Sequence, residues 1–316
     1  MVRSDQTPVL ALLDELQAAE QAGAAALGRW IACCQDPVLR GGLRVMHARD
    51  VAHAELARGR LVELGGSAHA AVAPRLDALS ALLGSSSSSD RVKLGLLLAR
   101  FPEGARDPLD GALAAIESDD ETRALLDGVR DDDRLGLDWL HVIAHAPPVV
   151  PRERLGGVEQ ANGVAFLGAL AAALGGAADV ARAWSAVSRL SGLRGGLRAI
   201  AGRATAHAAL ARERLLELGN VPAAVALSPP TLAAARAWYG AAERDDEDKL
   251  ARLLDPAGPS RAPVTAIEEF TDTLAEDVET REILRLIGAG EGATLAWLAA
   301  YRHVSLDPEP AEWVRV

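Results

Sequence analysis

His47, Asp50 and His53 follow one another at intervals of three residues, the spacing at which helical side chains become neighbours. Two imidazoles and a carboxylate on one face would make a metal-binding arrangement. Six residues, however, turn a helix through about 600°, so His47 and His53 diverge by about 120°, and His47 is expected at the surface. Other reactive types are few. Cys33 and Cys34 are the only cysteines and are adjacent; they cannot staple distant segments and read as small buried residues. The acidic runs Asp131-Asp132-Asp133 and Asp245-Asp246-Glu247-Asp248 are expected on solvated helix faces or at helix starts. The sequence has no glycine-rich phosphate loop, no zinc-type Cys/His set and no serine or cysteine nucleophile motif.

The elements that must position these residues are helices. Of 316 residues, 49% are apolar, 24% charged and only 3% aromatic, with few β-branched side chains. That composition is globular and disfavours a β-rich chain. A net charge of −11 gives no electrostatic reason to bind nucleic acid or an anionic membrane. The longest apolar run, Gly163–Ala178, is shorter than the roughly 20 residues that span a bilayer and reads as a buried core helix. The N-terminal residues lack the apolar stretch of a signal peptide. A soluble, cytoplasmic protein is the expectation, with neither nucleic acid nor membrane as partner.

An internal duplication organises the chain. Residues 39–66 and 193–220 are identical at 18 of 28 positions at a constant offset of 154. Trp30 and Trp184 obey the same offset, whereas Glu121-Thr122-Arg123 pairs with Glu279-Thr280-Arg281 and Trp139 with Trp297 at an offset of 158. The copies are assigned to residues 1–147 and 160–305, joined by a Pro-rich linker at 146–154 and followed by a tail at 306–316. Helical periodicity and stop signals give helices at 8–34, 37–64, 90–100, 108–117 and 120–144, then at 164–190, 193–218, 264–275 and 278–303. Asp36-Pro37 reads as an N-cap with proline at the first helical position. The pairs Gly41-Gly42 and Gly195-Gly196 lie inside helices, where glycine costs about 1 kcal/mol against alanine. They suggest that the two duplicated helices approach each other closely about a pseudo-twofold axis.

Two helical hairpins joined by a long crossover form a layout that ferritin-like bundles use. The segments LLDELQAAEQAGAAAL and ARDVAHAELARGRLVELGG resemble the first two helices of the ferritin-like, rubrerythrin-type superfamily of di-iron carboxylate proteins. The resemblance implies an all-α fold of two tandem four-helix bundles forming an intramolecular pseudo-dimer. It also implies ligands: a Glu, a Glu-x-x-His, a Glu and a second Glu-x-x-His from successive helices. Carried across, the first copy supplies Glu20, Asp50, His53, Asp110 and Asp133, but Gly136 stands where the last histidine belongs. In the second copy Leu174, Ala204 and Thr294 replace ligands, leaving His207, Glu268 and Glu291.

Two readings of the first copy stay open. The five residues bind iron or manganese and activate oxygen or peroxide, or they are relics neutralised by arginines such as Arg44, Arg49 and Arg134 or by solvent, since buried unpaired carboxylates are costly. The losses favour decayed metal chemistry, no cofactor, and a structural or interaction role with a protein partner. The alternative is an iron- or manganese-dependent oxidase or hydroxylase with one active site in the N-terminal bundle. A duplicated chain can make internally the contacts that separate subunits would make, so a monomer or weak dimer is expected.

Overall fold

The computed structural model describes residues 7–69, 74–116, 118–147, 157–219, 229–255 and 262–306. Among them lie twelve helices and no strand, so the protein is all-α. The first half holds α1 (Thr7–Cys33), α2 (Pro37–Glu63), α3 (Pro74–Leu83), α4 (Asp90–Leu98), α5 (Pro108–Ala115) and α6 (Asp120–His145). The second holds α7 (Gly157–Ser185), α8 (Ser191–Glu217), α9 (Pro229–Tyr239), α10 (Asp246–Leu253), α11 (Ala262–Thr271) and α12 (Val278–Leu306). Most of the expected Pro-rich linker and residues 307–316 of the tail lie outside the described residues.

Local chemistry sets the boundaries. The Asp36 carboxylate accepts from the amides of Val38 and Leu39 at 2.9 and 3.2 Å, with Pro37 opening α2. Gly65 and Gly219 follow the C-caps of α2 and α8 with φ of +81° and +78°, the left-handed conformation that glycine adopts without strain. The tryptophan pair duplicated at an offset of 154 is buried in both halves: Trp30 and Trp184 are 0% and 1% exposed. Their indole N–H groups donate to Asp90 at 2.8 Å and Asp246 at 2.7 Å, the first residues of α4 and α10. Each tryptophan therefore ties its long helix to the crossover. The sequence starts α7 seven residues and ends it five residues too far along the chain; the helix runs Gly157–Ser185, and residues 186–190 turn into α8.

Helices α1 and α2 form one hairpin and α7 and α8 another, and α2 also packs on α8. Between the halves, α6 lies along α8 and α12 lies along α2. One apolar cluster consequently draws Trp30, Leu43 and Trp139 together with Leu174, Leu210 and Ile287. Matched ion pairs border it. Arg40 meets Glu279 at 2.6 Å and Arg194 meets Glu121 at 3.0 Å; Arg60 meets Asp119 at 2.9 Å and Arg214 meets Asp277 at 3.0 Å.

The glycine pairs serve a different contact from the one expected. A Cβ on Gly41 would lie 2.7 Å from the Glu279 carbonyl oxygen at the start of α12, and one on Gly195 would strike the Glu121 carbonyl at the start of α6. Gly42 and Gly196 lie against the rings of Trp139 and Trp297. What approaches these glycines is the N-terminus of the other half's last helix and the indole of their own half. Two helices, over Ala161–Ser185 and Val278–Val304, are long and apolar enough to cross a membrane; 39% and 44% of their most apolar windows is buried. Gly42→Ala is expected to destabilise the protein by about 1–3 kcal/mol through overpacking. Gly59→Ala, on the same helix with open space at its Cβ, should instead add about 0.5–1 kcal/mol from helix propensity. Urea denaturation of the two variants checks the opposite signs.

Candidate metal centre

Glu20 on α1, Asp50 and His53 on α2 and Asp133 on α6 converge, each offering one ligand atom, with all four atoms within 4.8 Å of one another. The Asp-x-x-His spacing puts Asp50 and His53 on one face of α2, facing Glu20 across the α1–α2 hairpin. Glu20 and His53 are 8% and 3% exposed. Asp133 keeps 38% of its side-chain surface, so the group meets solvent on the α6 side. Space for Asp50 comes from Gly23, one turn beyond Glu20: a Cβ there would lie 2.8 Å from Asp50 Oδ2. The matched position in the second half is Ala177, opposite Ala204, where no carboxylate needs room.

His53 is the centre of the group. Its Nε2 lies 3.2 Å from Asp132 Oδ2. Its Nδ1 is buried, has no hydrogen-bond partner, and stands 3.5 Å from both Glu20 Oε2 and Asp133 Oδ1. A buried ring nitrogen without a partner, aimed between carboxylate oxygens, fits a cation better than it fits hydrogen bonding among the side chains alone. Burial raises the Asp50 pKa well above the carboxylate range, helped by the charges of Glu20 and Asp133. Asp133 is only partly buried, but that burial and the charge of Glu20 push it up to about 6. Burial works against a charged His53, but the carboxylates of Asp132, Asp133 and Glu20 outweigh it and hold its pKa well above the usual histidine range. Without a metal, protons must supply the positive charge that three neighbouring carboxylates require.

Asp110, the fifth expected ligand, is not in this group. Helix α5 is short, and its Asp110 carboxylate lies 3.7 Å from Arg130 Nη1 on α6. The Gly136 position does not open into free space either, because a Cβ there would meet Met46 Cγ and Cε at 3.2 Å. The ligands expected for a second metal are thus turned away or replaced by hydrocarbon. Of the arginines expected to neutralise relic carboxylates, Arg44 pairs with Glu217 and Glu279 instead, and Arg134 is exposed. His47 is half-buried rather than a plain surface residue; it lines a groove of about 1010 Å³ between α2 and α8 and is separate from the four-residue group.

Asp132 is the residue that sequence reasoning missed. Expected in a solvated run, it is 3% exposed. Its carboxylate lies 2.8 Å from Arg203 Nε and 3.8 Å from Arg49 Nε. Burial alone would raise its pKa, but Arg203, His53 and Arg49 hold it well below the carboxylate range. The two arginines occupy matched positions at the offset of 154, and each reaches into the other half: Arg49 donates to the Leu286 carbonyl at 2.9 Å and Arg203 to the Gly128 carbonyl at 3.4 Å. In the second half, Leu174 and Ala204 are 2% and 1% exposed and fill the ligand positions with hydrocarbon. His207 meets Glu291 at 3.0 Å, and Glu268 is exposed.

The chain matches no protein-family model, no curated protein and no solved structure.

The proton balance of the site predicts a pH response. Asp50 and Asp133 have raised pKa values in the folded state, Asp133 at about 6 against 3.8 for a free carboxyl. The folded protein therefore binds more protons than the unfolded chain in this range, and their contribution to stability is present at low pH and lost as pH rises through about 6. His53, raised as well, acts in the same direction. Metal-free protein is expected to gain stability between about pH 7.5 and 5.5, and Asp50→Asn and Asp133→Asn to reduce that gain. Guanidinium denaturation across the window measures it; equal slopes for wild type and variants would contradict the assignment.

Proposed function

We propose that the protein is a ferritin-like double bundle whose first half holds one metal ion, iron or manganese, between Glu20, Asp50, His53 and Asp133, and whose second half is metal-free scaffold. The observation that carries this reading is the buried, unpartnered His53 Nδ1 facing two carboxylates at 3.5 Å. Three carboxylates and one imidazole form an oxygen-rich donor set, which suits iron or manganese better than metals that prefer thiolate or all-nitrogen sites. Four clustered ligands serve one ion, and the displaced Asp110 and the Met46-filled Gly136 position argue against a second.

Bound iron or manganese would supply one-electron redox chemistry toward dioxygen or peroxide, the basis for an oxidase or hydroxylase role. The protein's own residues define what surrounds that chemistry. Glu20 and His53 bind from a dry interior, Gly23 leaves room for Asp50, and the partly exposed Asp133 lies on the side from which a small oxidant or substrate can enter. Asp132 fixes the His53 ring from behind. The matched ion pairs and the apolar cluster shared by both halves support a monomer in which the copies act as an internal pseudo-dimer. Charged side chains along α12 that pair with other helices, such as Glu279 with Arg40, support a soluble protein.

A structural or interaction role with decayed chemistry is the competing reading, favoured by the hydrocarbon at Leu174 and Ala204. Metal analysis separates the two. Protein expressed with iron and manganese supplied is expected to carry about one ion per chain, the number that four clustered ligands accommodate. Asp50→Ala and His53→Ala should lose it, and His207→Ala should keep it. Metal-free wild type whose stability is unchanged by chelators would support the decayed reading instead.

A further inference from the structure

The two histidines at matched positions have neighbours of opposite polarity behind them. Behind His53 stands Asp132, a carboxylate held ionised by Arg203 at 2.8 Å, which can only accept; the 3.2 Å contact with His53 Nε2 therefore requires the proton on Nε2. In the neutral ring that a metal ligand must be, this leaves the lone pair of Nδ1 facing Glu20 and Asp133 at 3.5 Å. Behind His207 the position matching Asp132 is Gly290, and the space is taken by Arg49, whose Nη2 would lie 2.6 Å from a Cβ on that glycine. Arginine can only donate. Its Nε meets His207 Nε2 at 3.3 Å, so Nε2 is the acceptor, and the ring proton sits on Nδ1, donating to Glu291 Oε1 at 3.0 Å.

We infer that the polarity of the group behind each histidine fixes which ring nitrogen that histidine can offer a metal: Asp132 leaves His53 Nδ1 to the site, and Arg49 locks His207 with Nδ1 already protonated and spent on Glu291. Asp132 and Arg49 are positioning residues, acting through the imidazoles. Arg49 belongs to the first half and fixes the histidine of the second. The exchange of one carboxylate for glycine at matched positions frees Arg49 for this contact, while its counterpart Arg203 remains paired with Asp132 and donates to Thr294 at 2.6 Å. The inference rests on the metal reading of the first half, but the state of His207 does not require metal to be bound.

Long-range proton–nitrogen NMR of the imidazole nitrogens in the full-length, metal-free protein reads the tautomer directly. His207 is expected as a single Nδ1–H form, and in Arg49→Met that form should give way to Nε2–H or to a mixture. In the Zn²⁺-loaded protein His53 should carry its proton on Nε2. By calorimetric titration with Mn²⁺, Asp132→Asn is expected to weaken binding by about 10- to 100-fold, as loss of a carboxylate behind a ligating histidine does elsewhere. Asp131→Asn, whose carboxylate pairs with Arg130, should bind as wild type does. An Nε2–H His207 in wild-type protein that does bind Mn²⁺, or Asp132→Asn binding with undiminished affinity, would overturn this inference alone. Wild type that takes up no Mn²⁺ would defeat the metal reading and this inference with it. The wild-type spectrum decides the His207 state even if the Arg49 variant fails to fold.

Discussion

The structure turns on a buried charge that must be paired. Asp132 lies in the interior between α2, α6 and α8, and an isolated carboxylate there would be far more costly than any single apolar contact is favourable. Arg203, from the other half, neutralises it, and Arg49 adds a second guanidinium at 3.8 Å. This pairing joins the halves, because Arg203 comes from the opposite copy, and Arg49, from the same half as Asp132, also donates across to the Leu286 carbonyl. It also shapes the candidate metal site, because the carboxylate that needs Arg203 is the one that meets His53 Nε2 at 3.2 Å. Removing one partner of such a buried pair costs about 3–5 kcal/mol, so packing between the halves and order at the site depend on one another.

Much of this fold was legible in the sequence because the copies check one another. Aligning residues 39–66 with 193–220 gave both long hairpin helices, and the Asp36-Pro37 cap placed the start of α2 correctly. The short connecting helices α3 and α9 carry too little periodicity to stand out. The start of α7, an Ala/Gly-rich stretch, offers no cap signal to fix its register. Which partner the glycine pairs serve was not legible, since a glycine records that something comes near and not what it is. The structure supplies Glu279, Glu121 and the two indoles.

The candidate site was legible in part. Glu20, Asp50, His53 and Asp133 came from the family resemblance, and they lie together. Asp110 did not join them, because a helix as short as α5 does not bring it into register and Arg130 offers a nearer partner. Asp132 was hidden inside a run of three aspartates, where composition argues for solvent. A signal for it did exist. Arg49 and Arg203 are identical in both copies and sit four residues before His53 and His207, on the same helical face. A duplicated arginine beside a duplicated histidine on an otherwise apolar face asks for a buried anion, and the anion is Asp132.

The difference between position 132 and position 290 has a consequence for how such a molecule can arise. Two identical subunits about a true twofold axis would carry any substitution on both sides at once. Aspartate in both copies would place a carboxylate behind each histidine, and glycine in both would strand two interior guanidiniums with no anion. The observed combination, with an anion on one side and an arginine turned to new work on the other, is closed to identical subunits and open to two copies written into one polypeptide. Covalent fusion here is a licence for asymmetry: it lets one half gather a cluster of carboxylates around its histidine while the other fills the matched positions with hydrocarbon.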